Sequence, residues 1–241
     1  MCAHYRATNL EPGGFAERFR VPAWNVGRGA VMRLPKAVDF EAGAFIEPLA
    51  CAIRAVDRCP ADPGSALVVG AGPMGLLVIQ LLRLRGVERV FASEVSPARI
   101  GMARRLGADP VWDPREDEVP VEARAETHGL GPDLVVVATG HIPAIAEGLR
   151  LVRAGGTVAL LGVPEAGGRL DYDPSEFVTR EVSLVSSNAA TEAETRKAMG
   201  LIARRRVDVA SMVTHRFPLR RFPDAVRVAQ RAECVKAIIT P

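Results

Sequence analysis

The chain has 241 residues, of which 48% are hydrophobic and 24% are charged, and its formal net charge is +3. A chain of this length and composition can bury a large core and is typical of a globular enzyme. The net charge is too small to indicate a nucleic-acid partner. No apolar run reaches transmembrane length and no signal peptide opens the chain, so we expect a cytoplasmic protein without a membrane partner.

Residues 1–40 do not resemble the start of a self-sufficient domain. Residues 14–22 alternate like a strand and residues 24–34 like short β pieces, and we expect both to pack on a later part of the chain. Residues 39–58 predict a helix in two parts, because acidic residues open the first part and Pro48 opens the second.

From residue 65 onward, strand and helix patterns alternate. This alternation is typical of an α/β protein with a doubly wound parallel sheet and helices on both faces. The predicted strands are 66–70, 89–94, 110–112, 133–137, 157–161 and 181–186, and the predicted helices are 73–85, 97–106, 115–128, 143–152 and 192–205. A strand at 212–217, a helix at 219–231 and a strand at 235–239 close the chain.

The first predicted strand runs directly into a G-x-G-x-x-G motif at residues 70–75, which opens an apolar helix. The first glycine allows a tight turn, the second lets the backbone approach a diphosphate, and the third lets the helix pack closely on the strand. The free amides and positive end of the helix attract phosphate, and proline suits its first turn. We therefore predict a dinucleotide site of the Rossmann type, with a glycine-rich turn that binds nothing as the alternative. The predicted cofactor-binding residues of the motif are Gly70, Gly72, Pro73, Met74 and Gly75.

Glu94 ends the second predicted strand, 19 residues after Gly75. An acidic side chain at this position binds the ribose hydroxyls of the adenosine and repels a 2′-phosphate, which favours NAD over NADP. Arg99 lies nearby and could neutralise a phosphate. We predict that Glu94 and Arg99 bind the cofactor and that the cofactor is NAD rather than NADP; the alternative for Glu94 is an ordinary surface glutamate.

Two further turns follow the predicted strands 133–137 and 157–161. Ligands of open α/β sheets bind outside the carboxyl ends of the strands. The backbone groups of these turns are therefore predicted to contact the nicotinamide half of the cofactor, with ordinary tight turns as the alternative. The residues concerned are Thr139, Gly140, Gly162 and Val163.

Several stretches, taken in order, resemble one family: GGFAE at 13–17, FIEPLA at 45–50, GAGPMG at 70–75, residues 99–109 ending in GAD, RAGGT at 153–157 and THRFPL at 214–219. The chain is similar to the zinc-type medium-chain dehydrogenase/reductase family, and within it to the sorbitol and threonine dehydrogenase branch. The resemblance implies hydride transfer between a small alcohol, such as a polyol or amino alcohol, and NAD. A catalytic zinc would polarise the alcohol oxygen.

The resemblance also implies a domain organisation. Residues 1–58 correspond to a remnant of a β-rich, GroES-like catalytic domain and a linking helix, residues 59–190 to the NAD-binding Rossmann domain, and residues 191–241 to the last Rossmann helix and the return to the catalytic domain. We expect the front part of that catalytic domain to be missing, with Cys2 as the last member of a structural zinc cluster.

Glu47 matches the family glutamate that lies at or beside the catalytic zinc. It is the one member of that ligand set in the sequence, whereas a catalytic zinc requires about three protein ligands. We therefore predict that Glu47 belongs to an incomplete metal site and that this polypeptide alone holds no stable catalytic zinc.

Two functions stay open at this point. The chain is either a dehydrogenase impaired in zinc binding or a non-catalytic NAD-binding module or subunit derived from one. A zinc-independent reductase of the quinone-reductase kind is disfavoured, because a glutamate beside zinc has no use there. Relatives pair their cofactor sheets edge to edge, so the resemblance also implies a homodimer through strand 181–186.

Overall fold

The computed structural model describes residues 10–241 of the protein, so Cys2 lies outside the described residues. Its main sheet has six parallel strands: β1 (Ser65–Val69), β2 (Arg89–Ser93), β3 (Val111–Trp112), β4 (Leu134–Val137), β5 (Thr157–Leu160) and β6 (Ser183–Ser186). A second sheet has two parallel strands, β7 (Val213–Pro218) and β8 (Lys236–Thr240). Every predicted strand from 66 to 186 is present, with small differences at the ends.

The α-helices of the described residues are α1 (Ala23–Gly27), α2 (Phe40–Gly43), α3 (Ile46–Asp57), α4 (Pro73–Leu84), α5 (Pro97–Arg105), α6 (Val119–Ala125), α7 (Ile142–Leu151), α8 (Ser175–Thr179), α9 (Glu192–Ala203) and α10 (Phe222–Gln230). The two-part helix predicted for residues 39–58 is present as α2 and α3, and the side chain of Asp39 accepts a hydrogen bond from the amide of Ala42 at the start of α2. No helix of residues 10–241 is long and apolar enough to cross a membrane.

The order of the six-stranded sheet is β3-β2-β1-β4-β5-β6, which is the order of Rossmann folds. The chain moves outward from β1 to β3 and then crosses to the other side of β1 with β4. The carboxyl ends of β1 and β4 therefore flank the point where the order reverses, which is where folds of this kind bind their ligands. The predicted doubly wound parallel sheet is confirmed.

Alternate residues of the strands build two separate cores, one on each face of the sheet. In β1, Ala66 and Val68 pack with the core of α3, α4 and α9, whereas Leu67 and Val69 pack with the core of α6 and α7. Successive side chains of a strand point to opposite faces, so a strand that is apolar throughout needs helices on both sides. This explains why β1 is buried along its whole length.

Helix α4 lies inside this arrangement and is buried on nearly all sides, as its apolar sequence predicted. Its start packs very closely on the end of β1. A Cβ atom placed on Gly75 would lie 1.9 Å from the carbonyl oxygen of Gly70 and 3.3 Å from the side chain of Val68. The third glycine of the motif therefore does what its position predicted: it lets the helix and the strand touch.

The front of the described chain differs from the prediction. Residues 14–22 form no strand but make one antiparallel bridge, in which Glu11 and Arg20 exchange hydrogen bonds. Residues 23–27 form the short helix α1 instead of a β piece. A strand needs a partner for its backbone groups, and the described residues offer none beyond this bridge. The expected packing on a later segment is present, since the ring of Phe15 lies 4.8 Å from that of Phe222 in α10.

The last part of the chain forms a compact unit beside the main sheet, in which α10 connects the parallel strands β7 and β8. The side chain of Gln80 in α4 connects the loop before β7 to the main core. Its amide nitrogen lies 3.3 Å from the carbonyl oxygen of Asp208, and its oxygen accepts a 2.7 Å hydrogen bond from the amide of Asp208. Helix α3, assigned to the front remnant from the sequence, shares its core with β1 and α4.

The close contact at Gly75 makes a stability prediction. The substitution Gly75→Ala forces α4 away from β1, and overpacking of this kind costs about 1–3 kcal/mol of the free energy of unfolding. Urea denaturation followed by circular dichroism measures the loss. Gly101 in α5 is the matched control, because a Cβ atom there meets nothing within 4 Å. Gly101→Ala should stabilise the protein by about 0.5–1 kcal/mol, and equal effects at the two positions would contradict the packing argument.

Candidate cofactor site

The glycine motif forms the turn between β1 and α4. Gly70 has a φ of +89°, a conformation that side chains disfavour, and it turns the chain at the end of the strand. Gly72 is the N-cap of α4 and Pro73 its first residue. The first bond of the helical ladder runs from the amide of Leu76 to the carbonyl of Gly72. Helix geometry leaves the preceding amides, including that of Met74, without acceptors in their own helix.

The space above Gly72 is open. The first atom that a Cβ on Gly72 would meet is Nη1 of Arg99, at 3.9 Å. The backbone of the glycine loop is therefore accessible from this open space, and the guanidinium of Arg99 lies across it. Free amides, the positive end of a helix and a nearby cation together form an environment that suits a diphosphate.

Glu94 follows β2 directly and is buried, with 7% of its surface exposed. One carboxylate oxygen accepts a 2.9 Å hydrogen bond from the amide of Ala71 in the glycine loop. The other accepts from the amides of Val95 and Ser96, at 2.8 and 2.9 Å. A carboxylate has about four acceptor positions, so one stays available to a ligand. Glu94 therefore holds the glycine loop in shape, a role that the sequence alone did not indicate.

A cavity of about 360 Å³ lies at this edge of the sheet, and we call it the cofactor cavity. Its volume is in the range of small-molecule sites. Five of the predicted cofactor-binding residues line this cavity: Gly70, Gly72, Glu94, Arg99 and Thr139. The lining residues are Val69, Gly70, Gly72, Ser93, Glu94, Val95, Arg99, Pro114, Ala138, Thr139, His141 and Ala144.

The turns after β4 and β5 pack against each other beside this cavity. A Cβ atom on Gly140 would lie 2.3 Å from the carbonyl oxygen of Val163, and one on Gly162 would lie 2.2 Å from that of Thr139. Both glycines are needed for this contact. The structure thus brings together Thr139, Gly140, Gly162 and Val163, of which Thr139 lines the cofactor cavity, and it leaves the side chain of Val163 exposed.

The cofactor cavity also contains residues that sequence reasoning missed, among them Val95, Pro114 and His141. Pro114 follows β3 and His141 follows the turn after β4, so both lie at the carboxyl edge of the sheet. That position was available from the predicted strands and could have indicated them. Val95 is 46% exposed and lies at the wall of the cavity.

An ion pair between the buried Asp113 and the exposed Arg115 supports this rim. Asp113 and Arg115 contact each other at 2.5 Å, and Arg115 also donates to the carbonyl of Val95. The hydrogen bonds from Arg115 lower the pKa of Asp113 to about 2. Asp113 therefore stays ionised at neutral pH and fixes the loop on which Pro114 lies.

Glu47 lies elsewhere, exposed in the first turn of α3, and does not line the cofactor cavity. Its carboxylate accepts a 3.2 Å hydrogen bond from the thiol of Cys51, one helical turn later. Among residues 10–241, no three His, Cys, Asp or Glu side chains are grouped so that they could hold a metal ion. The described donor set does not fit a tetrahedral zinc, which takes about three or four protein ligands.

The family of zinc-binding dehydrogenases matches residues 73–204, which is more than half of the chain. The chain belongs to this family, and the resemblance drawn from the sequence motifs is confirmed.

Individual relatives are similar over almost the whole chain. L-galactonate-5-dehydrogenase of Escherichia coli K12 is 32% identical over 234 residues, which are 95% of this chain and 66% of that protein. L-threonine 3-dehydrogenase of Bacillus subtilis 168 is 30% identical over 244 residues, which are 100% of this chain and 68% of that protein. A crystal structure of a zinc-binding dehydrogenase from Sinorhizobium meliloti 1021 bound to NADP has a TM-score of 0.85 and 32% identity, over 95% of this chain and 66% of that one. The chain thus spans about two thirds of the length of these relatives.

The contact between Glu47 and Cys51 makes a testable prediction about thiol reactivity. Burial first, and then the hydrogen bond to Glu47, raise the pKa of Cys51 to about 12. The substitution Glu47→Gln removes the negative charge and lowers this pKa, so alkylation of Cys51 by iodoacetamide at alkaline pH should become about tenfold faster or more. Peptide mass spectrometry measures the rate.

Cys59 is the control within the same sample. Burial raises its pKa to about 11, and its thiol donates to the carbonyl of Ala55 rather than to Glu47. Its alkylation rate should not change in the variant. An unchanged rate at Cys51 would show that the carboxylate does not suppress the thiolate.

Proposed function

We propose that the chain binds NAD in the cofactor cavity, with the diphosphate on the glycine loop and the adenosine ribose at Glu94. The observation that carries this proposal is the hydrogen bond from Ala71 to Glu94. It joins the acidic residue to the loop and leaves the carboxylate one free acceptor position. The turns that contain Thr139 and Val163 are proposed to contact the nicotinamide half.

The proposed activity is hydride transfer between a small alcohol, a polyol or an amino alcohol, and the cofactor. NAD when bound supplies the hydride acceptor. The residues of this chain bind and orient it: the glycine loop fixes the diphosphate, and the crossed turns after β4 and β5 form a rigid wall beside it. The names of the relatives, which act on L-galactonate and L-threonine according to those names, support this substrate class.

A second candidate is a non-catalytic NAD-binding module or subunit derived from such an enzyme. The observation that favours it is the lack of a zinc-type ligand group among residues 10–241, where Glu47 has only Cys51 beside it. An assay with polyols and amino alcohols, with and without added zinc, separates the two candidates. Turnover supports the dehydrogenase, whereas cofactor binding without turnover supports the module.

The preference for NAD over NADP rests on charge. The Glu94 carboxylate is buried at the end of β2, where a 2′-phosphate would meet a fixed negative charge at low dielectric. The neighbour from Sinorhizobium meliloti was crystallised bound to NADP, so a fold of this kind can accommodate a 2′-phosphate. Arg99 is the nearby cation that could offset the repulsion, but two of its nitrogens donate to the carbonyl of Cys234.

The proposal also includes a domain organisation and a location. We propose a remnant of the catalytic domain with its linking helix at residues 1–58, the NAD-binding domain at 59–190, the return to the catalytic domain at 191–241, and a cytoplasmic location. We also propose a homodimer through β6, because β6 is an edge strand with mostly exposed residues and Leu184 is 42% exposed. An unpaired edge of this kind can accept a second strand.

A fluorescence titration with NADH tests cofactor binding, and Glu94→Gln tests the role of the charge. The wild type should bind NADH saturably. The variant should bind NADH more weakly, and its ratio of NADPH to NADH affinity should rise about tenfold, or about 1.4 kcal/mol, because the repulsion of the 2′-phosphate is gone. Glu88→Gln, at an exposed site just before β2, is the matched control. The absence of binding at millimolar NADH would remove both candidate functions.

Light scattering tests the homodimer. The wild type should have the mass of two chains, and Leu184→Lys should shift it toward one, because a lysine on an edge strand opposes pairing. Val121→Lys replaces another exposed apolar residue, on the crossover helix α6, and should leave the dimer intact. A monomeric wild type contradicts the proposed pairing.

A further inference from the structure

Arg99 lies in the first turn of α5 and is half-buried. This is an unfavourable place for a cation, because the first turn of a helix already carries a partial positive charge. The guanidinium also faces the start of α4, since its Nη1 lies 3.9 Å from the Cβ position of Gly72. The positive end of α4 and the guanidinium of Arg99 thus face the cofactor cavity, and an anion above Gly72 would stabilise both. The Glu94 carboxylate in the same cavity is occupied by the amides of Ala71, Val95 and Ser96.

The other side of the same guanidinium is attached to the end of the chain. Nε and Nη2 of Arg99 donate to the carbonyl oxygen of Cys234, at 3.3 and 3.0 Å. This carbonyl belongs to the turn between α10 and β8. These two bonds use Nε and Nη2, and Nη1 of Arg99 has no hydrogen-bond or ion-pair partner within residues 10–241.

The Cys234 carbonyl is held firmly in place. Cys234 and Val235 are buried, with 4% and 3% of their surfaces exposed. The amide of Val235 donates a 3.1 Å hydrogen bond to the hydroxyl of Thr214 in β7. The turn is therefore fixed by the unit of β7, α10 and β8, residues 213–240, which we call the C-terminal β unit.

We propose that Arg99 bridges the bound dinucleotide and the C-terminal β unit, with Nε and Nη2 on the Cys234 carbonyl and Nη1 on a phosphate oxygen above Gly72. The Cys234 carbonyl is the positioning group, because it turns the guanidinium toward the loop. Cofactor binding then stabilises the C-terminal β unit, and the C-terminal β unit in turn favours cofactor binding, since coupling between two sites is reciprocal. This inference rests on the proposed binding of a dinucleotide.

The bridge requires the planar fork of arginine. A guanidinium can donate from one edge to a carbonyl and from another nitrogen to a phosphate while it stays in one plane. A lysine has a single ammonium group on a flexible stem and cannot keep both partners in this geometry. Arg99→Lys retains the charge but should break the connection.

Hydrogen–deuterium exchange with mass spectrometry tests the bridge on the full chain. Saturating NADH should slow exchange in peptides that cover residues 233–238 of the wild type by about tenfold. In Arg99→Lys and Arg99→Ala, at NADH concentrations that still saturate the loop, this slowing should be lost. Slower exchange near Gly72, which reports binding itself, should remain.

Arg104→Lys is the matched control. Arg104 lies on the same helix and donates to a backbone carbonyl, that of Val111, but it does not line the cofactor cavity. This variant should show the wild-type response at 233–238. A wild type that binds NADH without any change at 233–238, or an Arg99→Lys variant that keeps the full change, would overturn the bridge and leave the proposed function standing. Failure to bind NADH in the parallel fluorescence titration would instead overturn the proposed function, and the bridge with it.

Discussion

The hydrogen bond between the Ala71 amide and the Glu94 carboxylate connects the two parts of the molecule on which the site depends. It joins the glycine loop at the end of β1 to the residue after β2, so the loop and the acidic group cannot move independently. The contact is buried, and a buried charge without such partners would be strongly destabilising. The amides of Val95 and Ser96 complete the shell around this carboxylate. These three hydrogen bonds to the Glu94 carboxylate therefore preorganise the site at the carboxyl edge of the sheet.

Other close contacts at the carboxyl ends of the strands determine how the helices and turns pack around this site. Gly75 lets α4 rest directly on the end of β1, and the alternating residues of β1 and β4 anchor one core on each face of the sheet. The order of the strands then places the turns after β1 and β4 side by side. Gly140 and Gly162 permit the next pair of turns to cross at close range. These close backbone contacts give the proposed nicotinamide wall its rigidity.

Much of this arrangement was predictable from the sequence, and the reason is local. The central strands β1, β4 and β5 are short, mostly apolar runs with glycine near both ends, and the motif at 70–75 fixes where the first one ends. Glu94 and Thr139 were identified by their positions at the ends of predicted strands and Arg99 by its nearness to Glu94, and the structure places all three around one cavity. Whether they bind the cofactor stays a prediction.

The parts that could not be predicted depend on contacts between distant residues. Residues 14–27 have the pattern of strands, but β structure requires a neighbouring strand, and without one the chain forms a single bridge and the helix α1. The bond from Glu94 to the loop and the attachment of Arg99 to Cys234 also join residues far apart in sequence. No periodicity or motif in the sequence records such pairs.

Five of the residues predicted to bind the cofactor line one cavity, whereas no three His, Cys, Asp or Glu side chains of the described residues are grouped so that they could hold a metal ion. Relatives are about half as long again as this chain, and Glu47 is the one predicted metal-site residue it carries. Cofactor binding is therefore the property on which the proposed function depends. Difference electron density from crystals soaked in NADH tests it most directly. We expect a diphosphate against the amides above Gly72 and one ribose hydroxyl on the free acceptor position of the Glu94 carboxylate. Density in another cavity, or a Glu94 side chain turned away from the ribose, would contradict it.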